Sequence, residues 1–246
     1  MISAPVGFQC PECVNANPSR IINVQSTSGL AGLPLITKAI IYVCLGLFVA
    51  SYVVPAFDNQ NLGMAPFLVA TGQWWRLITA TFMHSGVFHV GFNMYALYFL
   101  GPGLERFFGQ RRYVALYALS AFGGSVSSLM FSPVNTLSVG ASGAIFGLMT
   151  ATIVVGRAVK QDVSQIMGLF AINIALGFFS SGIDWRAHLG GAAVGALVAW
   201  IMLNSVKQRK PNLEFAGLAL LALGLVMAVV YRDHQIIQYL SSHPLG

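Results

Sequence analysis

Charge is what this 246-residue sequence has least of. Only 8% of its residues are Asp, Glu, Lys or Arg, against about 25% in an ordinary soluble domain. With 56% hydrophobic residues and a mean hydropathy of +0.72, the chain cannot cover a soluble surface of ordinary size; its composition is that of an integral membrane protein. Cysteine is scarce as well. Cys10, Cys13 and Cys44 do not make a disulfide framework, and Cys44 falls inside an apolar run, where it serves packing. The metalloprotease signature HExxH is missing, and the soluble hydrolase elbow GxSxG fails because position 144 is Ala. The N-terminus lacks the basic stretch, short apolar run and cleavage site of a secretory signal, and no internal repeat is visible. The net charge of +6 has no groove-sized Lys/Arg patch behind it, so nucleic acid is not an expected partner. No cofactor is expected.

What is present is a series of apolar runs of spanning length. Seven candidates lie at about 34–57, 82–101, 112–132, 140–157, 163–182, 186–204 and 213–231. Residues 1–33, rich in Pro, Ser, Asn and Gly, read as a mostly disordered arm. A helical core over 34–204, a linker and seventh span over 205–231 and a polar tail over 232–246 follow. In the arm, CPEC (10–13) has metal-knuckle spacing, but a structural zinc site needs four ligands and no second pair follows. Half of a shared metal site and a pair of reduced thiols both fit Cys10 and Cys13.

The basic residues fall on alternating sides of the spans. With the N-terminus inside, ten Lys/Arg are inside and three (Arg76, Arg186, Arg232) are outside. This positive-inside bias places the arm in the cytoplasm and the tail outside the cell membrane. The second, fourth and sixth spans then run inward. His89 and Asn93, Ser142, and His188 all come near the outer ends of these spans, in one layer.

Polar side chains at such depth face a partner or a water-filled cavity. Ser142 opens SGAIFG, whose Gly143 and Gly147 form a small-residue face. His188 opens HLGGAAVG, whose Gly191 and Gly195 form another. If the two faces pack together, Ser142 and His188 meet, and the histidine can act as general base to the serine. The glycines serving packing alone, with a structural Ser–His hydrogen bond, is the competing reading. His89 and Asn93, four apart, share a helix face as uncharged donors suited to an oxyanion hole, or alternatively as interhelical hydrogen bonds. His84 reads as structural. None of the seven acids is buried mid-span near the site; Asp184, in a short outer loop, is nearest in sequence to His188. A dyad rather than a triad follows.

These residues together resemble the rhomboid family of intramembrane serine proteases. GASGAIFG (140–147) is similar to the family's GxSGxxxG, AHLGGAAVG (187–195) to its AHxxGxxxG, and HSGVFHVGFN (84–93) to its second-span histidines and asparagine. WWR (74–76) and GLERFFG (103–109) resemble its first-loop and post-span-2 stretches. The resemblance covers about 34–204 and implies an all-α polytopic membrane protein, a six-helix bundle plus one C-terminal transmembrane helix, the bacterial 6+1 form. It implies Ser142 as nucleophile, His188 as base, and an oxyanion hole of His89, Asn93 and the Ser142 backbone N–H. Phe146 stands where some members have Tyr stacked on the histidine, so stacking is retained and the hydroxyl is lost. The implied partners are the bilayer and membrane-protein substrates, cut near the outer end of a transmembrane helix through an acyl-enzyme. Lateral access past the fifth span would make Phe178 and Phe179 gate residues. A catalytically silent, client-binding relative is the alternative. A transporter or channel would instead need charges or broken helices at the midplane, and the sequence has no midplane acid or base.

Overall fold

The computed structural model describes residues 2–4, 7–9, 29–180 and 182–242. It divides between Leu33 and Pro34 into two units. In the first, strands β1 (Ile2–Ala4) and β2 (Gly7–Gln9) pair antiparallel, where the sequence suggests no strand. Cys10 and Cys13 lie outside the described residues.

The second unit is helical. Seven long helices correspond to the seven apolar runs: α1 (Leu35–Ala50), α2 (Val87–Phe108), α3 (Gln110–Phe131), α4 (Ser142–Ala158), α5 (Ser164–Phe179), α6 (Trp185–Gln208) and α7 (Pro211–Ser242). The protein is an all-α polytopic membrane protein, with α1–α6 forming a bundle and α7 packed against α3 and α6. Among the described residues three helices, α3, α6 and α7, are long and apolar enough to cross a bilayer. α1, α4 and α5 are shorter apolar helices.

The bundle centres on α6, which packs most extensively against α3 and α4. The ends of α1 and α2 are joined by a carboxylate. Glu105 of α2, 3% exposed, accepts from the backbone N–H groups of Ile36 and Thr37 at 2.9 and 2.8 Å and from Thr37 Oγ1 at 2.7 Å. It thereby satisfies donors that the first turn of α1 leaves without a helical acceptor. Beside it, a Cβ on Gly101 would come within 2.7 Å of Thr37 and the Tyr113 hydroxyl, so glycine sets this close approach.

Between α1 and α2 the chain folds into short helical turns held by Arg76. Its buried guanidinium donates to the carbonyls of Gln60 (2.8 Å) and Gly63 (2.6 Å) and to Gln73 Oε1 (2.7 Å). This loop is tied to the segment preceding α4 by two backbone hydrogen bonds between Met64 and Ser138, at 3.0 and 2.8 Å.

Several boundaries differ from the sequence expectation: α1 ends at Ala50 rather than about 57, since Pro55 opens a separate turn, and α2 runs over Val87–Phe108 rather than about 82–101. α4 starts at Ser142, because residues 138–140 are engaged in extended hydrogen bonding to Met64 and Ala80. Its 17 residues rise about 26 Å, less than a hydrocarbon core of about 30 Å, so its first residue can sit below the membrane surface. The 232–246 stretch is not a tail from its start: the helix runs unbroken to Ser242. Polar residues lower its hydropathy, but Val229, Asp233, Ile236 and Leu240 recur at helical spacing. The three apolar members of this face pack on a cluster containing Met64, Val69 and Leu77. At the other end of α7, Glu214 and Arg112 form a two-pronged ion pair, both contacts at 2.8 Å.

Candidate active site

The fold brings the outlying polar residues of α2, α4 and α6 together at the N-terminal ends of those helices. Ser142 is the first residue of α4 and His188 lies in the first turn of α6. Ser142 Oγ is 2.9 Å from His188 Nε2. The serine is half-buried and the histidine only 7% exposed.

Glycine makes this contact possible. A Cβ on Gly191 would overlap the Gly143 carbonyl oxygen, and one on Gly195 would overlap the Gly147 backbone. The backbones of α4 and α6 therefore touch, which no larger residue permits. The sequence pattern shows these two faces, but it misses the third wall. α3 presents Ser120, Gly123 and Gly124 to the same junction: a Cβ on Gly147 would overlap Ser120, and one on Gly124 would lie 2.9 Å from the Ala187 carbonyl. The run GGSVSS (123–128) carries that signal in its density of small residues.

Phe146, one turn after Ser142, stacks on the His188 ring with centroids 4.1 Å apart and planes 12° apart. Stacking fixes the ring plane. If Nε2 is to accept the serine proton, the neutral ring must carry its hydrogen on Nδ1. Nδ1 is buried and meets no acceptor among the described residues. No carboxylate among the described residues bonds to it. Asp184 Oδ2 instead accepts from Ser128 Oγ at 2.5 Å and Ser138 Oγ at 2.6 Å, and its Oδ1 caps α6 through the Ala187 N–H at 3.2 Å.

His89 and Asn93 approach from α2. A Cβ on Gly140, two residues before Ser142, would lie 2.6 Å from His89 Nε2 and 3.7 Å from Asn93 Nδ2. Gly140 has φ +126°, so both space and backbone conformation call for glycine there. The Ser85 backbone N–H donates to His89 Nδ1 at 3.4 Å and Ser85 Oγ lies 3.0 Å from the same nitrogen; with Nδ1 as acceptor, a neutral His89 carries its proton on Nε2, toward Gly140. Asn93 Nδ2 is buried and meets no partner among the described residues. The His84 ring packs edge-on against His89, with centroids 5.1 Å apart. Two uncharged donors thus converge on the segment leading into Ser142, whose own N–H belongs to the first turn of α4 and has no acceptor further up the helix. A cavity of about 20 Å³, bounded by Thr81, Ser125, Ser138, Gly140, Gly143 and Ala187, has room for one water.

α5 is sparsely packed, with Gly177 its one buried residue among those described. Phe179 is 89% exposed, whereas the Phe178 ring rests on Trp185 at 4.7 Å. No group of three or more metal-ligating side chains occurs among the described residues.

A family profile for the Rhomboid domain matches residues 71–205, more than half of the chain, a stretch that includes His89, Asn93, Ser142 and His188. The putative rhomboid protease YdcA of Bacillus subtilis (strain 168) is 34% identical over 156 residues, covering 61% of this chain and 76% of its own length. The rhomboid protease AarA of Providencia stuartii is 30% identical over 195 residues, 67% of this chain and 68% of its own. The rhomboid protease GluP of B. subtilis is 37% identical over 137 residues, covering 54% of this chain but 27% of its own length. The chain therefore spans about a quarter of GluP and about three quarters of YdcA.

Proposed function

The chain belongs to the rhomboid family, and from that membership we propose that it is an intramembrane serine endopeptidase. It cleaves transmembrane helices of other membrane proteins near their outer ends, using Ser142 and His188 as a catalytic dyad. The observation that carries this reading is the 2.9 Å approach of Ser142 Oγ to His188 Nε2 inside a bundle of membrane helices.

In the proposed reaction Oγ attacks the scissile carbonyl while His188 Nε2 takes its proton. The oxyanion that forms is met by His89 Nε2–H, Asn93 Nδ2–H and the Ser142 backbone N–H. The positive end of the α4 dipole reinforces the last of these. His188 then protonates the leaving amine, giving an acyl-enzyme. A water enters, His188 takes its proton, and the tetrahedral intermediate collapses to release the acid and restore Ser142. Phe146 holds the imidazole plane through these proton transfers, since no carboxylate orients Nδ1. A dyad lacks what an aspartate supplies in a triad, about 10⁴ in turnover in the best-studied case, so slow cleavage is expected.

A helix hides its carbonyls in i→i−4 hydrogen bonds, so the substrate must unwind locally before attack. Helix-weakening residues around a small residue at the cut favour that step. Entry is lateral, past the loosely packed α5. The excess of ten Lys/Arg against three puts the N-terminal arm in the cytoplasm of a cell membrane and the end of α7 outside, which places the dyad in the outer half of the bilayer.

The test is cleavage of a model single-span substrate reconstituted with the protein. The wild type should cut it, and Ser142→Ala and His188→Ala should each abolish cutting while remaining folded. Substrate binding without cleavage by the wild type would identify a silent client-binding member instead.

A further inference from the structure

Asp184 is the acidic residue nearest His188 in sequence, and it does not face the histidine's free nitrogen. Its carboxylate sits where three parts of the site converge. Oδ2 accepts from Ser128 Oγ of α3 (2.5 Å) and from Ser138 Oγ (2.6 Å), four residues before the nucleophile. Oδ1 accepts from the Ala187 N–H (3.2 Å), and the Asp184 carbonyl accepts from the N–H of His188 itself (3.2 Å). Ser128 is fully buried and also meets Ser132 Oγ at 3.2 Å. Ser138 is held on its other side by the paired backbone of Met64. One side chain therefore joins the segment that enters Ser142, the first turn that carries His188, and the α3 wall between them.

We propose that Asp184 is a positioning residue of the dyad. It holds the serine-bearing and histidine-bearing segments in register through three hydrogen bonds, in place of orienting the imidazole from behind as a triad aspartate does. This inference rests on the dyad reading above. Its physical basis is that the two catalytic side chains come from separate elements, 46 residues apart in sequence. Rotation or slippage of either element lengthens the Oγ–Nε2 contact directly. The three bonds act through geometry, so an uncharged isostere should suffice. In Asp184→Asn, the amide oxygen can still accept from Ala187 and the two amide hydrogens can be donated to Ser128 Oγ and Ser138 Oγ.

The test uses the whole 246-residue chain in one detergent. It reads the rate of fluorophosphonate labelling at Ser142, kcat and KM on a membrane substrate, and melting temperature. Asp184→Ala should slow labelling and lower kcat by about ten- to a hundredfold, the range a small misplacement of reacting groups costs. KM should stay within about twofold. Asp184→Asn should recover labelling to within about threefold of the wild type, because the hydrogen-bond geometry is restored without the charge. Ser138→Ala should slow labelling several-fold at unchanged melting temperature, since its backbone stays paired with Met64; this variant reports even if Asp184→Ala fails to fold. Wild-type labelling rates in Asp184→Ala or Ser138→Ala would overturn the inference. So would an Asp184→Asn variant as slow as Asp184→Ala, which would mean that the charge acts rather than the geometry, or a change confined to KM. No labelling of the wild type would overturn the dyad reading, and this inference with it; normal wild-type labelling alongside normal Asp184→Ala labelling overturns the inference alone.

Discussion

Replacing Gly191 by Ala adds one methyl group, and the structure indicates what it meets. The new Cβ would overlap the Gly143 carbonyl oxygen and lie 2.6 Å from its carbon and 3.0 Å from its Cα. All three are backbone atoms, so no side chain can turn aside. Restoring ordinary van der Waals separation requires α4 and α6 to part by roughly 1 Å. Gly143 is bonded to Ser142, so the same movement stretches the 2.9 Å Ser142–His188 contact beyond hydrogen-bonding range. Overpacking of this kind costs about 1–3 kcal/mol, and a backbone clash belongs at the upper end. A misplacement of about 1 Å at reacting groups costs about a hundredfold in rate. Gly191→Ala is therefore expected to lower the melting temperature in detergent and to slow fluorophosphonate labelling of Ser142 about a hundredfold. Gly91→Ala is the matched control. Gly91 lies between His89 and Asn93 in the second turn of α2, with open space where a Cβ would go. Alanine there gains up to about 1 kcal/mol of helix propensity, and labelling should be unchanged. Wild-type labelling and stability in Gly191→Ala would refute glycine-mediated contact as the basis of the dyad.

Asn93→Ala should lower kcat by about a hundred- to a thousandfold with little change in KM, as loss of one oxyanion donor does elsewhere; steady-state cleavage assays read both. Phe146→Leu should slow cleavage while Phe146→Tyr should not, because stacking at 4.1 Å needs an aromatic ring there and not a hydroxyl. Ile236→Ala, at a position 2% exposed against the first-loop cluster, should cost about 2–5 kcal/mol, read as a lowered melting temperature. For topology, an export-dependent reporter fused after Lys210 should be inactive and one fused after Gly246 active, as the Lys/Arg count requires.

The apolar runs and the two glycine faces were legible in the sequence because hydropathy and small-residue spacing are local, periodic signals. Each of the seven runs overlaps one long helix, although α1 is shorter than its run and α2 begins and ends several residues later than its own. The true length of α7 was not legible. Its last three turns are polar on the outside and bury Ile236 against a loop more than 150 residues earlier, which a hydropathy window does not register. The start of α4 at Ser142 depends on Ser138 pairing with Met64, again a long-range contact. Asp184 shows the same limit. Its place in the sequence, four before His188, invites a triad, but Ser128 and Ser138 claim its carboxylate from separate elements. His89 was legible as a donor, but which of its nitrogens donates was not, because that depends on the contact of Nδ1 with Ser85.

The central claim is that Ser142 is a nucleophile activated by His188. Fluorophosphonate labelling of the purified protein, read by mass at Ser142, tests it most directly. Labelling should be present in the wild type, absent in Ser142→Ala and lost in a folded His188→Ala variant. Full labelling of Ser142 without His188 would contradict the dyad.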